Sequence, residues 1–76
     1  MARAINPAAL RTTRNLVGLS RRELARRAGV NGATITHLEL GDHGGSPEMQ
    51  RKLADALGVP LDAITVPVPE AEQVSA

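Results

Sequence analysis

Apolar residues recur at the three- and four-residue spacing of an α-helix in four separate stretches of the chain. A polar residue suited to helix capping precedes each stretch, and a glycine follows it. The first predicted helix begins after Asn6 and ends at Gly18. Its expected core residues are Leu10 and either Leu16 or Val17, so the pattern predicts a short amphipathic helix at the start of the chain.

Two further short helices, separated by a glycine, are predicted in the middle of the chain. Ser20 and Glu23 have the spacing of a capping box, which marks the start of the second helix. Gly29 ends this helix and allows the positive φ that a sharp corner needs. Asn31 is expected to cap the third helix, which ends at Gly41. The expected core residues of the two helices are Leu24, Ala25, Ala28, Ile35 and Leu38.

The last third of the chain is predicted to hold a flexible loop, a fourth helix and a short fifth helix. The loop spans residues 42–45, and Ser46 caps the fourth helix, which ends at Gly58. Its expected core residues are Met49, Leu53, Ala56 and Leu57. Residues 60–64 are expected to form the fifth helix. The predicted fold class is therefore an all-α, compact five-helix domain over residues 1–65, followed by an extended or disordered C-terminal tail over residues 66–76.

Composition excludes several classes of function. A chain of 76 residues is expected to form one domain, and the absence of Cys excludes disulfides and thiolate metal sites. The absence of Phe, Trp and Tyr removes the stacking platforms that bind single-stranded nucleic acid. No apolar run approaches the ~20 residues of a membrane span, and the start lacks the apolar core of a signal peptide. We therefore expect a cytoplasmic protein without a membrane partner.

Catalysis and metal binding are not expected from the sequence. The chain has no recognisable arrangement of nucleophile, base and acid, so we expect no enzyme, no cofactor and no small-molecule ligand. His37, Glu39, Asp42 and His43 lie close in sequence and are metal-ligating types. Their spacing matches no known ligand pattern, so one surface histidine and one loop histidine are the preferred interpretation.

The charges are distributed unevenly along the chain. Residues 1–28 carry seven arginines and one glutamate, a net charge of +6, whereas residues 29–76 carry a net charge of −5. An arginine-rich half could simply be a solvated helix surface, or it could contact the phosphates of a nucleic acid. Charge alone does not decide between these two interpretations.

The informative stretch is LSRRELARRAGVNGATITHLELG, from Leu19 to Gly41. It resembles the phage-repressor-like (Xre/Cro type) helix-turn-helix family, and the resemblance extends over roughly residues 7–64, including LADALGVPLD from Leu53. The resemblance implies a repressor-like fold that binds double-stranded DNA with helix three in the major groove. It thus implies a DNA-binding transcriptional regulator of a phage or bacterial repressor type.

The resemblance also implies which residues contact DNA. Arg21, at the start of helix two, would contact a phosphate, and the start and outer face of helix three would read bases. Arg14 and Glu39 would form a structural ion pair. The candidate DNA-binding residues are Arg21, Arg22, Arg26, Asn31, Gly32, Ala33, Thr34, Thr36 and His37.

Some residues depart from what strong base reading needs. Gly32 and Ala33 stand where a glutamine or arginine would bind a base through two hydrogen bonds, and helix three has no Lys or Arg. Base reading is therefore expected to be modest and supplemented by DNA shape. The alternative is a degenerate helix-turn-helix that binds a protein, as an antirepressor or an antitoxin-like partner, through Ala33, His37 and Leu40.

A homodimer is a further expectation, because two recognition helices about 34 Å apart would reach successive major grooves. Residues 64–68 alternate as in a strand, and the N–H groups of Val66 and Val68 share one edge that could pair with a second copy. Pro67 and Pro69 would then lie along the other edge. An unpaired polyproline segment, a monomer and a helix-packed dimer are the alternatives.

Overall fold

Four α-helices pack around one apolar core, and a two-stranded sheet joins the two ends of the described chain. The structure, a computed structural model, describes residues 2–42 and 44–68. No helix in these two ranges is long and apolar enough to cross a membrane. The elements in chain order are β1 (Ala2–Ile5), α1 (Pro7–Val17), α2 (Arg21–Ala28), α3 (Gly32–Leu40), α4 (Pro47–Leu57), a single 3-10 turn (Leu61–Ala63) and β2 (Thr65–Val68).

The prediction of an all-α, five-helix domain is wrong in two places. The expected fifth helix is only the 3-10 turn, closed by the N–H of Ile64, which donates to the Leu61 carbonyl at 3.2 Å. The chain then becomes extended, because Pro67 disfavours helical backbone at Val66 and β-branched residues suit a strand. The second difference is β1, a four-residue strand too short to show an alternating pattern.

The two strands are antiparallel, with Ala4 opposite Val66 and Ala2 opposite Val68. Just beyond the sheet, the N–H of Asn6 donates to the Ile64 carbonyl at 2.8 Å. Antiparallel pairing alternates, so the backbone groups of Val66 and Val68 also face β1. β1 of the same chain therefore occupies the edge that the sequence analysis assigned to a second copy.

Part of the predicted tail lies outside the described residues. Residues 66–68 belong to β2, whereas residues 69–76, including Pro69, are not described. The division of the chain at residue 65 and the character of the tail stay predictions.

Each helix begins at a capping side chain and ends at a glycine with positive φ. The side chains of Asn6, Ser20, Asn31 and Ser46 each accept a hydrogen bond from a backbone N–H in the first turn of their helix. Ser20 and Glu23 form the complete capping box. The glycines that follow the helices are Gly18, Gly29, Gly41 and Gly58.

The apolar core contains residues from all four helices, β1 and the connections between elements. Leu10 is the buried apolar residue of α1, but Leu16 is 82% exposed and Val17 is also exposed. The expectation that one of these two faces the core is therefore wrong, and Arg14 lies inward instead. The buried apolar residues are Ile5, Leu10, Leu19, Leu24, Ala25, Ala28, Ile35, Leu38, Leu53, Ala54, Leu57 and Ile64.

On α4 a polar side chain occupies a core position. Gln50 is only 2% exposed, whereas Met49 and Ala56 are partly buried at the edge of the core. The Nε2 group of Gln50 donates to the carbonyls of Arg3 at 2.8 Å and Gly45 at 3.1 Å. Gln50 therefore joins α4 to β1 and to the loop that follows α3.

The loop after α3 packs against β1 and is not simply a solvated connection. The Gly44 carbonyl accepts a hydrogen bond from the N–H of Ile5 at 2.8 Å. A Cβ atom at Gly44 would lie 2.8 Å from the Cβ atom of Ala4, so a glycine is needed for this close approach. The end of α3 is thereby attached to the sheet.

Candidate nucleic-acid interface

The corner between α2 and α3 sets the direction of α3. Gly29 ends α2 with φ of 71°, and its N–H donates to the carbonyls of Ala25 and Arg26. The N–H of Val30 also donates to the Ala25 carbonyl, at 2.9 Å. This double closure is a Schellman motif, which satisfies the last carbonyls of α2 and turns the chain into α3.

α3 has one buried face and one exposed face. Ile35, Leu38 and Glu39 are buried against the rest of the molecule. Thr34 and Thr36 are half-buried, and the Thr36 hydroxyl donates to the Gly32 carbonyl at 3.4 Å. The exposed positions at the start and outer side of α3 are Asn31, Gly32, Ala33, His37 and Leu40.

Several of these positions have little hydrogen-bonding capacity of their own. Gly32 and Ala33 have no polar side-chain atom, and the Asn31 side-chain oxygen already accepts the N–H of Ala33 at 2.9 Å. Leu40 adds an apolar side chain that is 70% exposed. The exposed face of α3 is therefore small and mostly apolar, and it has no lysine, arginine or carboxylate.

His37 is held by an acidic neighbour at the end of α3. Its Nδ1 atom lies 2.6 Å from Oδ2 of Asp42, and both side chains are about half exposed. Asp42 comes directly after Gly41, which ends the helix. The contact between Asp42 and His37 fixes the direction of the imidazole ring. His43 lies outside the described residues, and the described ones contain no cluster of three or more metal-ligating side chains.

The cations next to α3 belong to α2. Arg22 and Arg26 are exposed and stand one helical turn apart, so they lie on the same side of α2. Arg21 is the first residue of α2, and its side chain is 52% exposed. Arg21 contacts α3 through Glu39, and Arg22 and Arg26 are exposed on the same helix, whereas α3 itself has no lysine or arginine.

A buried ion pair ties α1 to α3. The Arg14 guanidinium donates from Nε to Glu39 Oε2 at 2.7 Å and from Nη2 to Glu39 Oε1 at 3.2 Å. Its Nη1 group donates to the Leu19 carbonyl at 2.9 Å. Arg14 therefore holds α3 and also the segment that leads into α2.

Glu39 has a second arginine partner. The Nε group of Arg21 donates to Glu39 Oε1 at 3.1 Å. Burial raises the pKa of the Glu39 carboxyl, but the hydrogen bonds and charges of Arg14 and Arg21 together outweigh it and lower the pKa below its ordinary value. Glu39 is therefore a carboxylate that joins the last turn of α1 and the first residue of α2 to α3.

The family described as Helix-turn-helix domain matches residues 8–65 of this sequence. This match covers both helices at the glycine corner, the ion pair beneath them and the fourth helix. The chain belongs to the helix-turn-helix domain family. The resemblance inferred from residues 19–41 is thereby confirmed.

Two solved structures resemble this helix-turn-helix chain. The restriction-modification controller protein C.AhdI from Aeromonas hydrophila is 30% identical with a TM-score of 0.73, and the match covers 75% of this chain and 86% of that one. The clp gene regulator ClgR from C. glutamicum is 34% identical with a TM-score of 0.70, and the match covers 75% of each chain. None of the curated proteins matches the sequence. Family and neighbours confirm the expected class of function, a DNA-binding transcriptional regulator.

The helix-turn-helix unit contains two contacts that sequence reasoning missed. The Arg21 side chain was assigned to a phosphate only, and its bond to Glu39 was not foreseen. Asp42 was treated as a loop residue, yet it contacts His37. The spacing of Asp42, five residues after His37 and past a glycine helix end, was the one available signal for that contact.

Proposed function

We propose that this helix-turn-helix protein regulates transcription by placing α3 in the major groove of double-stranded DNA. The observation that carries the proposal is the exposed face of α3 beside the arginine-rich helix α2, whose first residue, Arg21, contacts α3 through Glu39. An α-helix fits the ~12 Å width of the major groove, and the flanking phosphates lie where cations beside the helix would meet them. We also propose that the protein acts in the cytoplasm and has no catalytic activity.

Arg21, Arg22 and Arg26 supply much of the binding energy in this proposal. Each is exposed on α2, and each can pair with a phosphate oxygen through its guanidinium group. If three to five phosphates are neutralised per chain, the logarithm of the binding constant falls with the logarithm of salt concentration at a slope of roughly −2.7 to −4.5.

Base reading in this proposal is modest. Ala33 would contact a thymine methyl group, and Thr36 and His37 would meet base edges. Asn31, Gly32 and Thr34 lie at the start of the recognition helix, and Gly32, which has no side chain, would let the backbone approach the DNA. Sequence preference would then depend partly on how easily the DNA adopts the bound shape.

A homodimer on two half-sites completes the proposal. Two copies would place their α3 helices about 34 Å apart, one turn of the double helix. The dimer is expected to leave the β1–β2 pairing intact, because that pairing already uses the inner edge of β2. Sedimentation of the full chain with and without a duplex measures the stoichiometry, and two chains per duplex is the expected result.

Binding of a labelled duplex from the DNA upstream of the protein's own coding sequence tests the proposal. Fluorescence anisotropy over a series of salt concentrations gives the affinity and the slope. Arg21→Ala is expected to weaken binding and to flatten the slope by about one. Arg51→Ala, which removes an exposed arginine on α4, is the matched control and is expected to leave both values unchanged.

The exposure of Leu40 favours a second candidate function, protein binding through the outer face of α3. Leu40 is 70% exposed and shares the outer side of α3 with the exposed residues Ala33 and His37, and a face of this kind can pack against a helix of a partner. Duplex binding that is absent, or that does not weaken as salt rises, would favour this candidate over the DNA-binding proposal.

A further inference from the structure

The Glu39 carboxylate accepts hydrogen bonds from two arginines that differ in what else they contact. Arg14 uses Nε and Nη2 on Glu39 and Nη1 on the Leu19 carbonyl, and it is buried. All three nitrogens of this guanidinium are therefore engaged with the protein. Arg14 and Glu39 form a fixed unit inside the fold.

Arg21 is attached to this unit by one atom only. Its Nε group donates to Glu39, and its side chain is half-exposed. Among residues 2–42 and 44–68, the two terminal nitrogens of Arg21 have no acceptor. The guanidinium is thus anchored at its inner corner and presents its outer edge, with four N–H donors, to solvent.

We propose that Glu39 is a positioning residue that holds Arg21 in the conformation in which it binds a DNA phosphate. This inference rests on the proposed DNA-binding function. An unanchored arginine side chain has many rotamers, and ordering it on binding opposes affinity. The bond from Nε to Glu39 restricts those rotamers before DNA arrives, while the outer edge keeps the fork geometry that matches a phosphate.

The charges of the cluster are compatible with this role. Two arginines and one glutamate leave a net charge of +1, so Arg21 still attracts an anion. Arg14 satisfies Glu39 independently through two bonds, so Arg21 does not have to remain on Glu39 to keep the carboxylate paired. Glu39 can therefore guide Arg21 without competing strongly with the phosphate for it.

A double-mutant cycle on the full chain tests the role of Glu39. Binding of the labelled upstream duplex is measured for Glu39→Gln in three backgrounds, which are wild type, Arg21→Gln and Arg22→Gln. Circular dichroism establishes that each protein is folded. Glu39→Gln is expected to weaken binding about three- to tenfold in wild type and in Arg22→Gln, and to have no effect in Arg21→Gln.

The same loss in all three backgrounds would show that Glu39 acts only through the fold, and would overturn the inference. Tighter binding of Glu39→Gln would mean that Glu39 withholds Arg21 from DNA, which overturns it equally. Absence of salt-dependent binding by the wild type would overturn the proposed function itself, so the two failures are distinguishable.

A second pair of variants leaves Glu39 and the buried pair intact, in case Glu39→Gln does not fold. Lysine keeps the charge of Arg21 but lacks the Nε–H that bonds to Glu39 and the fork that binds phosphate. Arg21→Lys is expected to lose at least three times more affinity than Arg22→Lys, with the salt slope of both unchanged. Equal losses for the two variants would contradict the positioning role.

Discussion

Arg14 is a charged residue in a core position, four residues after Leu10 on the inner side of α1. Helical spacing alone places it there, and the apolar Leu16 and Val17 lie outside. A guanidinium is tolerated because the Glu39 carboxylate and the Leu19 carbonyl accept its hydrogen bonds. The interior of this small molecule therefore depends on a polar contact. If one partner is removed, the other stays buried without the hydrogen bonds that compensate for its burial.

We expect Arg14→Ala to destabilise the protein by about 3–5 kcal/mol, because it leaves a buried carboxylate with only its bond to Arg21. A domain of this size has a total stability of roughly 4–11 kcal/mol, so the loss is a large fraction. Urea unfolding at neutral pH measures it. Arg11→Ala removes an exposed arginine one turn away and is expected to change stability by less than about 0.5 kcal/mol. Equal effects of the two substitutions would contradict the assigned role of Arg14.

At the scale of elements, the helix ends carry the clearest sequence signals. A capping side chain, a short apolar repeat and a glycine predicted α1 to α4 closely, because each signal acts on backbone groups a few residues away. β1 and its pairing with β2 were not predicted, because the paired residues lie 60 or more positions apart in sequence and neither strand is stable without the other. The alternation of residues 64–68 indicated a strand, but the expected partner was a second copy.

The capping box of α2 gives a pH dependence of stability. The N–H of Ser20, its hydroxyl and the charges of Arg26 and Arg27 hold the pKa of Glu23 below its ordinary value of 4.5. A carboxyl group whose pKa is lower in the folded than in the unfolded protein stabilises the fold at pH values above about 4.5. This stabilisation is lost as the pH falls through the pKa of the folded state. Glutamine preserves the capping hydrogen bond without the charge.

We therefore expect Glu23→Gln to lose less unfolding free energy than the wild type between pH 7 and pH 3, measured by urea titration at each pH. Glu39, whose pKa is also lowered, is unchanged in this variant, so a residual loss is expected. An identical loss in both proteins would show that Glu23 contributes nothing to the pH dependence.

The contact between β1 and the loop after α3 depends on a glycine. A Cβ atom at Gly44 would approach the Cβ atom of Ala4 to 2.8 Å, so the strand or the loop must shift. We expect Gly44→Ala to destabilise the protein by about 1–3 kcal/mol, as overpacking does elsewhere. Gly32→Ala is the matched control, since no atom lies within 4 Å of its Cβ position and it lies in a helix. In thermal unfolding, the change in Tm relative to the wild type should differ between the two variants in direction or in size.

At the scale of the whole molecule, the sequence predicted the helix-turn-helix unit and, through the family resemblance, the Arg14–Glu39 pair, but not the other contacts that support the unit. The unit is local in sequence, and its residues carry the family resemblance. Its supports are long-range: Gln50 reaches Arg3, Arg14 and Arg21 converge on Glu39, and β1 pairs with β2. A helical pattern marks Gln50 as polar and therefore exposed, because the pattern contains no information about the carbonyls that satisfy it.

The intramolecular sheet can be distinguished from pairing between copies. We expect the N–H groups of Val66 and Val68 to exchange slowly with solvent deuterium, because they face β1. Their protection should be independent of protein concentration, as measured by nuclear magnetic resonance over a tenfold range. Protection that rises with concentration would instead indicate strand pairing between two copies.

The pairing of β1 with β2 also has a consequence for synthesis of the protein. Ala2 lies opposite Val68, so the first strand to leave the ribosome has no partner until almost the whole described chain has followed it. The helices, whose contacts are local, can form during this interval, whereas the sheet must await closure of a loop of about 60 residues. Gln50 and the Gly44 loop can bind β1 before β2 arrives. Translation therefore imposes an order on assembly, in which the helix-turn-helix unit forms first and the sheet closes last.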